Sequence, residues 1–251
     1  MTYTARGIVL RREDVFEWDR RYTVFTKEYG KLILIGKGTR RPKAKLAAHL
    51  EPFTEAELVV AHGRNGDRFT FARALKTNAA FAVSEERLRT VSWISECVDQ
   101  LTREQQVELE IFNLLQSTFA ACAEGVSQRA IIIPFTLRLL SILGFAPALD
   151  HCMECRTPIL GAVHALSRRG GVLCARCHHG EKEAVLLSSE DRHMAVSSLR
   201  TLLPVESSPI LELFVLQLLE EHIVAPMRTV LFMGVKGGLT WKLSTAMVAV
   251  S

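Results

Sequence analysis

The sequence predicts an α+β chain in which a small β-barrel over residues 1–80 precedes a helical domain over residues 81–251, and three observations point there. Five short β-like runs crowd the first eighty or so residues, with turn residues between them. Beyond them apolar side chains recur at helical spacing. Two matched Cys-x-x-Cys pairs then interrupt the helical part at about residues 150–180.

The strands come first. Ala5 to Arg12 is rich in aliphatic and β-branched residues, Tyr22 to Lys27 alternates, and Leu32 to Ile35 is a brief apolar run after a Tyr29-Gly30 turn. Glu57 to Ala61 and Arg68 to Ala74 flank an Asn65-Gly66 turn, and Asn-Gly tolerates the positive φ angles of a tight hairpin. Five short strands in such a length suggest a five-stranded OB-type barrel, with an SH3-like barrel as the second choice.

The third strand leads into Gly36-Lys37-Gly38-Thr39-Arg40-Arg41-Pro42-Lys43-Ala44-Lys45. Glycines let backbone approach a ligand, and five bases offer charge to phosphates. The stretch is not a P-loop, because Gly38 stands where Ser or Thr must follow Lys37. The whole-chain charge of +4 hides an asymmetry: through Lys45 there are twelve bases against five acids, so the rest is net acidic. Such a split points to a polyanion met by the N-terminal part. Arg11, Arg12, Arg20, Arg21, Lys31, Lys37, Arg40, Arg41, Lys43 and Lys45 are the candidate phosphate contacts, with Arg40 to Lys45 the best supported. Of the nearby aromatics Phe16, Trp18, Tyr22 and Phe25, most are expected in the barrel core, though a base-stacking platform among them is an alternative.

Helical signals follow. Ser84 is placed to cap a helix towards Leu101, with Leu88, Val91, Ile94, Val98 and Leu101 in register. Thr102-Arg-Glu-Gln105 has the form of a capping box for a second helix, whose stripe runs Val107, Ile111, Leu114, Leu115, Thr118 and Phe119 and which Gly125 ends. A third helix begins near Ser127 and continues to Gly144, with Pro134 either kinking it or marking its start. Later, Ser188 or Ser189 caps a helix holding Met194, Leu199 and Leu202 that Pro204 ends. Ser208-Pro209 opens another, burying Leu211, Phe214, Val215, Leu218 and Leu219, with Glu220, Glu221 and His222 as its exposed end. The tail from Leu231 to Ser251 receives no function.

The cysteines carry the sharpest chemistry. Cys152-Met-Glu-Cys155 and Cys174-Ala-Arg-Cys177 are two knuckles whose separation allows the chain between to fold back as a hairpin. Each knuckle presents two thiolates on one turn, so together they close a tetrahedron around one structural Zn2+ with no position left for substrate. Disulfides are disfavoured because Met1 to Arg12 lacks the apolar run of an export signal, which suggests a reducing, cytoplasmic setting. A redox Cys-x-x-Cys comes alone and in a βαβ context. His151, His178 and His179 are spare donors expected to be exposed neighbours, while Cys97 and Cys122 read as small buried residues. Val163 to Leu166 and Gly171 to Leu173 are the expected strands of the hairpin. Arg168 and Arg169 at its tip are either an exposed polar turn or an accessory polyanion contact.

At 251 residues, 48% hydrophobic and 23% charged, the chain can bury a core of ordinary globular type. The most apolar stretch, Ala130 to Phe145, is broken by Pro134 and Arg138, so no membrane span is expected. No H-E-x-x-H, G-x-S-x-G or deaminase pairing occurs, and a binding protein is expected in place of an enzyme.

One ordered series of residues resembles a known family. Phe135-x-Leu137-x-Leu139-Leu140-x-x-Leu143-Gly144-Phe145-x-Pro147-x-Leu149-Asp150, running into a cysteine pair, is similar to the RecO family of bacterial recombination mediators. Arg6-Gly7-Ile8-Val9-Leu10, Asp19-Arg20, Phe25-Thr26, Gly30-Lys31, Gly38, Arg40-Arg41 and Leu50-Glu51-Pro52-Phe53 agree with it. The resemblance implies an OB-fold followed by a helical domain with a zinc module. It also implies binding of single- and double-stranded DNA, annealing of complementary strands, and contact with the acidic tail of single-stranded DNA-binding protein. With RecR, such a protein helps RecA load onto single strands during recombinational repair. Arg138 is the candidate for a carboxylate of that acidic tail, against the default of an ordinary exposed helix arginine. A zinc-stabilised adaptor whose barrel binds RNA or ribosomal components is the alternative from a different class.

Overall fold

The computed structural model describes residues 1–63, 66–77, 79–202 and 208–229. Its contacts divide into two compact units, Met1–Gln116 and Ser117–Ser251. Residue 80, where the strands were expected to give way to helices, lies in a short helix, α1 (Ala79–Ala82), and the next helix groups with the barrel because it packs on the first strand.

In the first unit, β1 (Thr2–Asp14), β2 (Arg20–Thr26), β3 (Gly30–Gly36), β4 (Glu55–Ala61) and β5 (Arg68–Lys76) close a barrel in the order β1-β2-β3-β5-β4. β1 is long enough to pair antiparallel with both β2 and β4, and a register shift between Val9 and Arg11 marks where it turns from one partner to the other. A parallel contact of Ile35 with Arg68 joins β3 to β5 and completes the Greek-key closure of an OB-type barrel. Val9, Tyr22, Val24, Leu34, Leu58, Val60 and Phe69 fill the interior. β4 and β5 pair as far as Ala61 with Arg68, so the hairpin stands, although Asn65 lies outside the described residues. Gly30 is required by the β2–β3 turn: its φ is +66°, and a Cβ there would lie 1.9 Å from the Gln106 carbonyl oxygen.

α2 (Glu85–Leu101) starts at its Ser84 cap and buries Val91, Trp93, Ile94, Cys97 and Val98. The expected capping box at Thr102–Gln105 does not form. The Thr102 hydroxyl donates back to the Val98 carbonyl and so closes α2, while Gln105 takes a left-handed φ of +59° and donates its N–H to the Lys31 carbonyl. α3 (Leu109–Glu124) begins later, so Val107 precedes it and is exposed; Gly125 follows with φ +91°. The division between the units falls within α3.

In the second unit, α4 (Gln128–Ile142) starts at Ser127 and carries Pro134 inside it, so Pro134 does not mark the start. It is buried on almost every side from Ala130 to Leu140, as a central core helix must be. Gly144 (φ +83°) ends it in a Schellman turn, with Phe145 N–H bonded to Leu140 O and Gly144 N–H to Ser141 O. The expected hairpin, β7 (Val163–Leu166) with β8 (Gly171–Leu173), is widened by two strands that periodicity did not single out, β6 (Ala148–Cys152) and β9 (Val185–Leu187), into a sheet ordered β6-β8-β7-β9.

α5 (Ser189–Ser198) opens on a full capping box between Ser188 and Asp191. It stops before Leu202, because Arg200 and Thr201 N–H groups both turn back to the Ser197 carbonyl. α6 (Pro209–Glu220) buries the five residues expected of it. Glu220, expected to be exposed, is only 4% accessible. Pro204 and the tail from Leu231 lie outside the described residues.

Candidate nucleic-acid interface and metal centre

The ten candidate phosphate contacts fall into two groups once their partners are known. In the first, cations are committed to acids. Arg11 pairs with Glu13 and with Asp99 (3.2 Å), and Arg12 pairs with Glu51. Arg20 Nε lies 2.9 Å from Asp14 and Arg40 Nε 3.2 Å from the other oxygen of that carboxylate, while Arg21 is 3.9 Å from Glu13. The hydrogen bond from Arg20, with the charge of Arg40 nearby, holds the Asp14 carboxyl below its ordinary range. Lys31 departs furthest from expectation. It is 8% accessible, and its ammonium donates to the Asp99 backbone carbonyl and meets its carboxylate at 3.2 Å, so it faces α2 and not a ligand.

The second group is Lys37, Arg41, Lys43 and Lys45. All four are exposed and none has an acidic partner among the described residues. They sit on a segment held by its own turns: Arg41 N–H bonds to Gly38 O, Ala44 N–H to Arg41 O, and the Thr39 hydroxyl to Gly36 O. That segment is tied to the β1–β2 loop. Gly38 N–H donates to Asp19 Oδ1 (2.7 Å), Arg40 N–H to Trp18 O (3.1 Å), and Arg40 Nη1 to Phe16 O (3.1 Å). Between the two loops lies a hollow of about 430 Å³, lined by Phe16, Glu17, Trp18, Asp19, Lys37, Gly38 and Arg41. Tyr22 and Phe25 are core residues as expected, but Phe16 and Trp18 are 67% and 43% exposed. Sequence reasoning missed this division because alternation sorts residues within strands, and these two stand in a loop.

In the second unit the four knuckle cysteines converge: their Sγ atoms all lie within 4.8 Å of one another, and Cys155 and Cys174 are 3.7 Å apart. A tetrahedral zinc with bonds of about 2.3 Å sets its sulfurs about 3.8 Å apart, so the donor set fits such an ion. β6 ends at Cys152 and β8 ends just before Cys174, which brings the pairs together; Arg156, at φ +60°, and the bond from His178 N–H to Cys174 O shape the two turns. Thr157 hydrogen bonds draw the Cys155 thiol down to about 6, while hydrogen bonding with Cys155 and Cys174 pushes Cys177 up to about 12. Four thiolates at this spacing repel one another, and a cation relieves that. His151 and His179 are exposed; His178 is half-buried and stacks on His164 at 3.7 Å, outside the sulfur cluster. Cys97 and Cys122 are buried, and burial pushes the Cys97 thiol up.

The remaining candidates have local partners. Arg168 meets Glu183 at 3.1 Å and Arg169 meets Glu154 at 2.7 Å. Arg138 is half-buried and donates to the Leu199 carbonyl at the end of α5 (3.0 Å), a cap that no local pattern announces.

The chain is thus of a two-unit class, an OB-type barrel with a basic loop followed by a helical unit with a four-cysteine cluster. Comparison narrows it. Residues 1–78 match the family described as Recombination protein O N terminal, and residues 86–227 match Recombination protein O C terminal. The chain is 33% identical over 181 residues to the DNA repair protein RecO of Thermobifida fusca, covering 70% of this chain and 73% of that protein. It is 31% identical over 182 residues to the DNA repair protein RecO of a Nocardioides species, covering 70% and 75%. The chain belongs to the RecO family. No described helix is long and apolar enough to cross a membrane.

Proposed function

We propose that the chain is a DNA-binding recombination mediator whose barrel loop, Lys37 to Lys45, holds strands by their phosphates. The observation that carries this reading is the set of four exposed cations with no acidic partner among the described residues, on a segment fixed by its own turns beside an OB-type barrel. Each phosphate neutralised releases counterions and lowers the repulsion that opposes pairing of two strands. On this reading the protein binds single- and double-stranded DNA, anneals complementary strands and, with RecR, promotes RecA loading onto strands coated by single-stranded DNA-binding protein. It performs no bond-making chemistry and works in the bacterial cytoplasm at the nucleoid. Family membership supports these roles, and Arg138 is the proposed contact for the acidic tail of the coating protein.

The metal in this account is one structural Zn2+ held by Cys152, Cys155, Cys174 and Cys177. Its bound form fixes the β6-β8-β7-β9 sheet and supplies no reaction step. The barrel at residues 1–80 is the proposed DNA-binding domain, with residues 81–251 carrying the partner contacts and the zinc module.

The test is annealing of complementary oligonucleotides pre-coated with the cognate single-stranded DNA-binding protein, comparing wild type with Lys37→Glu/Arg41→Glu/Lys43→Glu after a check of folding. Annealing by wild type and its loss in the folded variant are expected. Unchanged annealing in the variant moves the DNA site elsewhere. Absence of annealing by wild type at a salt concentration where it binds DNA contradicts the mediator reading and favours an RNA partner.

A further inference from the structure

Phe16 and Trp18 are large apolar side chains left in solvent on a loop that is otherwise firmly held. Three hydrogen bonds fix that loop: Arg40 N–H to the Trp18 carbonyl, Arg40 Nη1 to the Phe16 carbonyl, and Gly38 N–H to the Asp19 carboxylate. Asp19 is held in place by that backbone bond and keeps its negative charge at the edge of the hollow. The rings gain little burial for their exposure, at 67% and 43%. A chain that only needed to turn between β1 and β2 has no use for two aromatics there. Arg41, one of the unpaired cations, leans over the Trp18 ring with its guanidinium carbon 5.9 Å from the ring centre. Apolar ring faces and phosphate-binding charge thus meet at one hollow of about 430 Å³.

We infer that Phe16 and Trp18 form a stacking platform for unpaired bases, which makes the basic loop discriminate single strands from paired ones. The inference rests on the proposed DNA binding and deepens it. Phosphate contacts alone are blind to whether bases are paired, because duplex and single strand both display them. A ring that stacks on a base face needs that face free, so only an unpaired base fits. The loop between the first two strands of an OB-type barrel is a position from which such rings reach a strand lying on the barrel. Glu17 and Asp19, the two acids lining the hollow, oppose a phosphate at that spot and leave it to a base. For an annealing protein the consequence is useful: pairing removes the stacking partners, so the product is held less tightly than the separated strands.

The experiment compares binding of oligothymidylate with binding of an abasic oligomer of the same length, which carries the same phosphates and no base. Wild type is expected to bind the thymidylate about tenfold more tightly, the low end of what stacked bases contribute. In Phe16→Ala/Trp18→Ala that ratio is expected to fall near one while the salt dependence stays as in wild type. Trp18→Phe, which keeps a ring, is expected to retain most of the ratio, and melting curves of all variants check folding. A ratio unchanged in the double alanine variant, or already near one in wild type, overturns the inference and hands the aromatic pair to a protein partner. Should the double variant fail to fold, Phe16→Ala and Trp18→Ala are read singly, and an undiminished ratio in both overturns it equally. Failure of wild type to bind either oligomer overturns the DNA reading beneath it, whereas loss of binding in Lys37→Glu/Arg41→Glu/Lys43→Glu with an intact ratio in the aromatic variants removes the platform alone.

Discussion

Lys31 and Lys37 lie on one strand and the turn that follows it, carry the same charge, and have opposite surroundings. Lys31 points at α2 and ends on Asp99, whereas Lys37 ends in solvent. The difference is in their neighbours, and it leads to opposite outcomes on substitution. Asp99→Ala leaves the Lys31 ammonium buried without its carboxylate and removes a partner of Arg11, so it should cost roughly 2–4 kcal/mol in urea unfolding. Lys31→Met should change DNA affinity little, since its ammonium ends on Asp99. Lys37→Gln should do the reverse, with stability unchanged within ~0.5 kcal/mol and affinity for single strands lowered. Gly30→Ala is a further residue-scale expectation: with φ at +66° and the Gln106 carbonyl in the way, it should lose more than about 2 kcal/mol in the same measurement.

At the scale of elements, the capping box at Ser188 and Asp191 is the local signal that most plainly sets a helix start, and Ser188→Ala should destabilise by about 1 kcal/mol in thermal unfolding. The five barrel strands, the Ser84, Ser127 and Ser208 caps and the hairpin between the two cysteine pairs are all legible, because period, cap and turn chemistry are local. Thr102 misled for a physical reason. The residues of a capping box read the same whether the hydroxyl serves the next helix or closes the last one, and here it bonds to Val98. β6 and β9 were hidden because each is short and acquires its pairing from the hairpin beside it. The pairing of Arg20 and Arg40 on one Asp14 carboxylate was likewise invisible, since only the closed barrel brings those side chains together.

At the scale of the molecule, the basic loop and the four-cysteine cluster lie in different units. The four-cysteine cluster stands at the ends of β6 and β8, so removing its ion should melt the small sheet first; structural zinc in small domains contributes an apparent ~10–16 kcal/mol to folding. Treatment with a chelator, followed by circular dichroism on heating, should show an early transition in the second unit, with the barrel melting near its original temperature. On the proposed reading, the loop cations that have no acidic partner among the described residues hold phosphates, and the paired arginines do not. The most direct test is the slope of single-strand affinity against salt in two fourfold glutamine variants, one at Lys37, Arg41, Lys43 and Lys45 and the other at Arg11, Arg12, Arg20 and Arg21. At ~0.7 per phosphate contact, the first variant should lower the slope by about 3 and the second should leave it nearly unchanged. A slope that falls in the second variant and holds in the first would contradict the account.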